Sequence, residues 1–186
     1  MIAVLVVLGL SAIPPQSETP NASGFSGTWE RDPDRSDDAQ EKMRAAFERM
    51  QEEMERRRGG PPPGGPPPGG PPPGGAGRRA GPGQVPEELE VEHEGGELRM
   101  DDGERLQIFY LDGQKHRRAM PNGAKLETVA TLQGRVVLIE EKLERGKIER
   151  KLELSEDGES MVMTLNIKIG NMKDAVLIRT VYERLE

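Results

Sequence analysis

Apolar and polar residues alternate along short segments from Glu88 to the end of the chain, and turn sequences separate these segments. The stretch ESMVMTLNIKIG shows the alternation clearly, because its apolar residues fall on one face of an extended chain and its polar residues on the other. That apolar face consists of Met161, Met163, Leu165, Ile167 and Ile169. Turn signals such as HEGGEL, DDGE, LDGQ and SEDGES follow one another at short intervals. The pattern predicts an antiparallel meander of β-strands.

The same period of two recurs in the other segments of this region. The predicted inward residues are Leu89 and Val91, then Leu106, Ile108 and Tyr110, then Leu126, Ala130 and Leu132, and finally Ile148, Leu152 and Leu154. A further strand around Trp29 precedes them. A sheet of about eight to ten strands curls, and closing it removes its exposed edges. We therefore predict an all-β, up-and-down antiparallel barrel that occupies residues 24–186 as a single domain.

The period changes to that of a helix between the Trp29 segment and Glu88. Apolar residues at spacings of three and four form one narrow stripe: Ala39, Met43, Ala46, Phe47, Met50 and Met54. Ser36 is the predicted N-cap, and the basic run at residues 56–58 suits the negative end of the helix dipole. These signals predict an amphipathic helix over residues 36–58, inserted between the first two strands.

A low-complexity segment at residues 59–84 follows the helix. Its repeat, GGPPPGGPPPGG, offers no side chains for a core, since Pro triplets favour the polyproline II conformation and Gly pairs interrupt it. The composition predicts a disordered, semi-flexible Pro/Gly tether. Recognition of the Pro triplets by a partner domain is the alternative interpretation.

The chain begins with an uncharged apolar run, MIAVLVVLGLSA, that ends in small residues. This length is typical of the h-region of a signal peptide and is too short to span a bilayer, which needs about 20 apolar residues. The run predicts a signal peptide over roughly residues 1–16 and export to the periplasm or the extracellular space. A buried N-terminal strand is the alternative interpretation of the same residues.

The composition excludes several classes of chemistry. The net charge of -7 opposes attraction to phosphate backbones, so we expect no nucleic-acid partner. The chain has no cysteine and only two histidines, His93 and His116, both of which we expect to be exposed. Neither histidine accompanies a nucleophile motif or a metal-ligand spacing. We therefore predict a non-enzymatic protein without a metal or a cofactor.

Two short motifs carry a resemblance to a known group of proteins. The first is SGTW at residues 26–29, and the second is TVYERLE at residues 180–186. With these motifs the chain resembles the calycin group, which comprises lipocalins and fatty-acid-binding proteins, and most closely the exported bacterial lipocalin-like proteins. The resemblance implies a barrel whose mouth is covered by a helical lid between the first two strands.

The resemblance also implies roles for individual residues. Gly27 and Trp29 of the first strand would form a structural plug, with Arg184 or Arg179 of the last strand packed across the Trp ring. Fatty-acid-binding proteins commonly hold the ligand carboxylate with an arginine two residues before the last-strand tyrosine, but Thr180 stands at that position here. Direct transfer from the family therefore does not support carboxylate binding.

Two functions fit these observations. In the first, the barrel binds an apolar or amphipathic small molecule and the helix is its lid. The expected ligand-lining residues are Met100, Ile108, Tyr110, Leu165, Ile167 and Tyr182. In the second, the barrel interior is filled and the helix on its tether binds a protein partner. The predicted contact residues of the helix are Met43, Phe47, Met50 and Met54 in either case.

Overall fold

The structure is a computed structural model that describes residues 22–57, 85–119 and 123–185. The predicted signal peptide, residues 1–16, and the predicted tether, residues 59–84, lie outside the described residues. The described part consists of one ten-stranded antiparallel sheet, one α-helix and a short 3-10 helix at Ala22–Phe25. The prediction of an all-β meander barrel with one helix after the first strand is confirmed.

The strands follow one another through short turns. Their bounds are β1 Gly27–Asp32, β2 Glu88–Glu94, β3 Glu97–Asp101, β4 Leu106–Tyr110, β5 His116–Ala119, β6 Lys125–Gln133, β7 Val136–Leu143, β8 Gly146–Leu154, β9 Ser160–Ile169 and β10 Val176–Arg184. The helix, α1, spans Ala39–Arg57. The order of neighbours in the sheet is β4-β3-β2-β1-β10-β9-β8-β7-β6-β5. Because β1 pairs with both β2 and β10, the first and last strands are neighbours and the sheet curls into a barrel.

The barrel is nearly closed along a seam between β4 and β5. At one end of this seam, the backbone N–H of Gly113 donates to the carbonyl of Ala130 at 2.9 Å. At the other end, Leu106 of β4 and Ala119 of β5 both face an interior cavity, and Phe47 of α1 faces the same space. The seam therefore opens at the end of the barrel that α1 covers, which we call the mouth.

The core is built from aliphatic side chains and methionines at alternate strand positions. In β2, Leu89, Val91 and His93 are buried, while the residues between them are exposed. The expectation that His93 is exposed is wrong, because His93 continues the inward face of this strand. Its ring lies edge-on to that of Phe25, with 6.4 Å between the ring centroids. Each fully buried aliphatic side chain contributes about 1.5–3 kcal/mol to the hydrophobic stabilisation of such a core.

Strand β4 presents the opposite face from the one predicted. Ile108 and Tyr110 lie on the outer side, where they are 39% and 46% exposed, and Leu106 is 55% exposed at the edge of the mouth, where it borders the cavity. The reason is the pairing with β3, which places Phe109 opposite the buried Leu98. Burying the large aromatic ring of Phe109 in the core outweighs exposing smaller apolar surface on the other face.

Helix α1 begins three residues later than predicted, at Ala39. Its N-cap is Asp38, whose Oδ1 accepts a hydrogen bond from the backbone N–H of Glu41 at 2.8 Å. Ser36, the predicted cap, is engaged elsewhere, because its Oγ accepts a hydrogen bond from the backbone N–H of Val181 at 2.9 Å. The chain thus attaches to β10 before the helix starts.

Asp37 clamps the start of α1 to β10. Its carboxylate Oδ2 accepts hydrogen bonds from the backbone N–H of Arg179 at 2.7 Å and from Lys42 Nζ at 2.6 Å. The backbone N–H of Asp37 in turn donates to the carbonyl of Arg179 at 2.8 Å. Partial burial opposes ionisation, but these donors outweigh it and lower the pKa of the Asp37 carboxyl. The first turn of the helix is therefore held in place at the mouth.

Candidate functional site

The barrel encloses a cavity of about 760 Å³ beneath α1, within the size range of small-molecule sites. Most of its lining is apolar: Phe47, Met50, Leu89, Met100, Leu126, Leu143, Ile148, Met163, Leu165, Ile167 and Ile169. Its polar lining comprises Asp102, Arg105, Gln107, Arg118, Glu141, Arg145 and Arg150. Strands from both halves of the sheet contribute to the wall, so the cavity forms only when the sheet curls into a barrel.

The structure brings three of the six expected lining residues together on the cavity wall. Met100 of β3 and Leu165 and Ile167 of β9 face the cavity. Ile108 and Tyr110 do not, because Gln107 and Phe109 occupy the inward positions of β4. The inward face assigned to β4 from the sequence is thus corrected.

Tyr182 is fully buried in the core and is held by a specific hydrogen bond. Its hydroxyl donates to the carbonyl of Pro86 at 3.0 Å, which fixes the chain where it enters β2. Burial raises the pKa of Tyr182, so the hydroxyl stays protonated and keeps its role as a donor. This tyrosine therefore acts as a packing residue beside the cavity and not as part of the lining.

The main polar feature of the cavity is Arg150 of β8, which sequence reasoning missed. Arg150 Nη1 lies 3.5 Å from Gln107 Oε1, and its guanidinium carbon lies 5.5 Å from the centre of the Phe109 ring. Arg150 Nε is buried and has no hydrogen-bond partner among the described residues. Burial lowers the pKa of Arg150, but an arginine remains a cation at neutral pH.

Glu141 of β7 is the second buried charge of the wall. Its Oε2 lies 3.7 Å from Arg150 Nη2, and both side chains are almost completely shielded from solvent. Strand alternation contained the signal for both residues. Glu141 follows Val137 and Ile139 on the inward face of β7, and Arg150 follows Ile148 on that of β8. A charged residue in an inward phase is costly to bury, so it marks a position with a partner or a function.

Helix α1 lies across the mouth with its apolar stripe toward the barrel. Met43 is buried against the core, while Phe47 and Met50 line the cavity from above. Met54 lies in the last turns of the helix and is exposed. The first half of the stripe therefore anchors the helix, and its middle roofs the cavity.

The residues predicted as a plug lie together at the opposite end of the barrel. The Arg184 guanidinium stacks on the Trp29 ring, with its central carbon 4.2 Å from the ring centroid. It also donates to three backbone carbonyls: Gly24 at 2.6 Å, Ser26 at 2.6 Å and Gly158 at 3.0 Å. Gly27 has a φ of 146°, and a Cβ at this position would overlap Arg184 Nη1. Glycine is required there because both the backbone conformation and the guanidinium exclude a side chain.

The described residues contain neither a candidate metal site nor a helix that could cross a membrane. Among residues 22–57, 85–119 and 123–185, no group of three His, Cys, Asp or Glu side chains is placed to hold a metal ion. The one α-helix that the structure describes is not apolar enough to cross a membrane.

Comparisons with known proteins identify the fold. No family model and no curated protein matches the sequence. A solved structure of a secretary abundant heat soluble protein from Ramazzottius varieornatus matches with a TM-score of 0.50 and 12% identity, covering 88% of this chain and 96% of that chain. Fatty-acid-binding protein 1 of Echinococcus granulosus matches with a TM-score of 0.46 and 17% identity, over 88% of this chain and 98% of that one. The REP1-NXSQ fatty acid transporter matches with a TM-score of 0.48 and 14% identity, over 87% and 96%. The match at a TM-score of 0.50 shows that the chain shares its overall fold, a ten-stranded antiparallel barrel, with that solved structure, in agreement with the barrel that the sequence motifs implied.

Proposed function

We propose that this protein binds a small hydrophobic or amphipathic molecule inside its barrel, with α1 as the lid. The observation that carries the proposal is the cavity of about 760 Å³, which is lined mainly by aliphatic and Met side chains and contains the charged pair of Arg150 and Glu141. A few polar groups in an apolar pocket are the usual composition of a small-molecule site.

The apolar wall supplies the affinity in this proposal. Each methylene group that moves from water into such a wall gains about 0.8 kcal/mol, so an alkyl chain of about twelve carbons gains about 10 kcal/mol before the costs of association. Met50, Met100 and Met163 all line the cavity and are unbranched, so they can adapt to the shape of the occupant. We therefore expect a ligand with a long or bulky apolar body.

The position of α1 favours the lid over a free partner-binding arm. Ala39 and Met43 are buried, and Asp37 holds the first turn on β10. Met50 lines the cavity, and Phe47 borders it while remaining 39% exposed, as Met54 is at 36%. Binding of a protein partner by the whole stripe would need α1 to leave the barrel, because Ala39 and Met43 are buried.

Export remains a prediction, because it depends on residues 1–16, which lie outside the described part of the chain. We propose on the basis of that segment that the binding takes place in the periplasm or outside the cell. The absence of an enzymatic activity likewise stays a prediction from the sequence.

The proposal is tested by the ligand content of the purified protein. Native mass spectrometry of protein taken gently from its own producing cells should show a discrete extra mass that organic extraction removes. Leu165→Trp should reduce this bound fraction, because the larger ring fills the cavity. Thr164→Trp is the matched control, since the neighbouring residue of β9 points to the other face of the strand. Equal ligand loading in both variants would show that the cavity is not the binding site.

A further inference from the structure

The polar lining of the cavity contains two charge pairs and two further arginines. Arg150 Nη2 lies 3.7 Å from Glu141 Oε2, and Arg105 Nη2 lies 3.3 Å from Asp102 Oδ2 near the mouth. The other lining cations, Arg118 and Arg145, are exposed at the rim, where water screens their charges. A ligand group beside Arg150 would therefore meet a cation and an anion together.

The Arg150 and Glu141 side chains also have unused hydrogen-bonding capacity. Arg150 Nη2 lies 3.7 Å from Glu141 Oε2, which is too long for a hydrogen bond, so the guanidinium can donate to another acceptor and the carboxylate can accept from another donor. The pair thus offers a donor and an acceptor to the same region of the cavity.

A carboxylate would fit this arrangement poorly. It would gain a hydrogen bond from Arg150 but would be repelled by Glu141 at a similar distance, in a shielded site where such repulsion is strong. No residue of β10, Val176–Arg184, contributes a cation to this lining. Beside Glu141 the charge of Arg150 is offset, so this part of the wall has no net positive charge to hold an anion away from water.

We infer that the head group accepted beside Arg150 and Glu141 is uncharged and both donates and accepts hydrogen bonds, as a primary amide or an alcohol does. Its oxygen accepts from Arg150 Nη2, and its N–H or O–H donates to the Glu141 carboxylate. This inference rests on the proposed function and names the class of ligand for that cavity. Both buried charges gain a partner when such a molecule binds, which a purely apolar ligand would not provide.

Three probes with the same alkyl tail test this specificity: dodecanoate, dodecanamide and dodecanol. Each is titrated into the full chain, freed of copurifying ligand, by isothermal titration calorimetry at neutral pH. We expect dodecanamide and dodecanol to bind more tightly than dodecanoate, by about tenfold or more, from the repulsion between two carboxylates in a shielded site. Dodecanoate binding as tightly as dodecanamide would overturn the inference and leave the proposed function intact. Failure of all three probes to bind, together with no extra mass in the native protein, would instead refute the proposed function.

Two variants test the roles of the two charges, and the first retains the size of the side chain. Glu141→Gln removes the repulsion, so the ratio of dodecanoate to dodecanamide affinity should rise by about tenfold or more. This variant leaves Arg150 without its counter-ion and risks destabilisation, so the double variant E141Q/R150Q is measured beside it. In the double variant the attraction is lost as well, and the same ratio should fall below that of Glu141→Gln. A ratio that is the same in all three proteins would contradict the roles assigned to the two charges.

Discussion

Replacing Arg184 by methionine should destabilise the barrel, because it removes the polar half of the plug at the closed end. Methionine retains most of the apolar stem but leaves the carbonyls of Gly24, Ser26 and Gly158 without their guanidinium donor. Loss of a hydrogen bond at a partly buried carbonyl costs about 1 kcal/mol, and loss of the stacking on Trp29 costs about another 1 kcal/mol. The expected loss in the free energy of unfolding is therefore about 4 kcal/mol.

Such a loss is large compared with the total stability of a single domain, about 5–15 kcal/mol. For a domain of this size it corresponds to a decrease in Tm of roughly 10–15 °C. Urea denaturation followed by circular dichroism and by Trp29 fluorescence measures both the loss and its location. The fluorescence of the folded state should also change, since the cation that covers the indole is absent.

Arg179→Met is the matched control on the same strand. The Arg179 guanidinium donates to the carbonyl of Arg35 at 3.0 Å on an exposed surface, so its loss should cost less than about 1 kcal/mol. The reasoning is refuted if the two variants are destabilised equally, or if Arg184→Met unfolds at the same urea concentration as the original chain. Either result would mean that water replaces the guanidinium at the three carbonyls without cost.

Three other perturbations test the clamp, the lid and the core. The pKa of Asp37 is lowered in the folded protein, so its carboxylate stabilises the fold above the ordinary pKa of 3.8, and this stabilisation disappears as the pH falls through the lower folded pKa. Asp37→Asn should therefore destabilise the protein in urea titrations at pH 7 and should match the original chain in stronger acid. Serine at both Phe47 and Met50 should increase the rate of ligand release measured by stopped-flow fluorescence, whereas Met54→Ser should leave it unchanged; equal rates in both variants would argue against the lid. Leu152→Ala, at a fully buried site, should lower the free energy of unfolding by about 2–5 kcal/mol, and a loss below 1 kcal/mol would mean that the site is not packed as described.

Alternation and turn chemistry were sufficient to predict the meander, because both are local properties of the sequence. The period of two is clear in β2 and β9, and the Gly residues in the turns adopt positive φ values, as in the turns at Gly134 and Gly158. The apolar stripe was likewise sufficient to predict the helix. These elements depend on neighbours within about ten residues, so no knowledge of the rest of the fold is needed to place them.

The errors arose where a distant partner decides the outcome. Ser36 has the chemistry of an N-cap, but a hydrogen bond with β10, far along the chain, uses its hydroxyl and transfers the cap to Asp38. In β4, counting apolar residues favoured Ile108 and Tyr110, whereas pairing with β3 selected the opposite face for Phe109. Local patterns cannot distinguish such cases, because the competing partner lies on another strand.

The sequence left a hollow and a filled barrel as alternatives, but the polar pair of the cavity was accessible from the sequence alone. Arg150 and Glu141 occupy inward phases of strands whose other inward residues are mostly aliphatic. Strand prediction relies on the apolar positions, so a charged residue at an inward position of β7 or β8 is interpreted as a break in the alternation. A buried charge is expensive, however, so a charged residue in an inward phase identifies a site more sharply than any apolar neighbour does.

The two ends of the barrel divide stability and binding between them. At the closed end, Trp29 and Arg184 join β1, β10 and the turn at Gly158 in a fully packed cluster. At the mouth, α1 is attached mainly through its first turns, and the space below Phe47 is left open. A protein with a hollow interior loses packing energy there, so it needs a compensating cluster elsewhere. It follows that Arg184→Met should weaken the fold without changing the preference among head groups, whereas Glu141→Gln should change that preference whatever its effect on the fold.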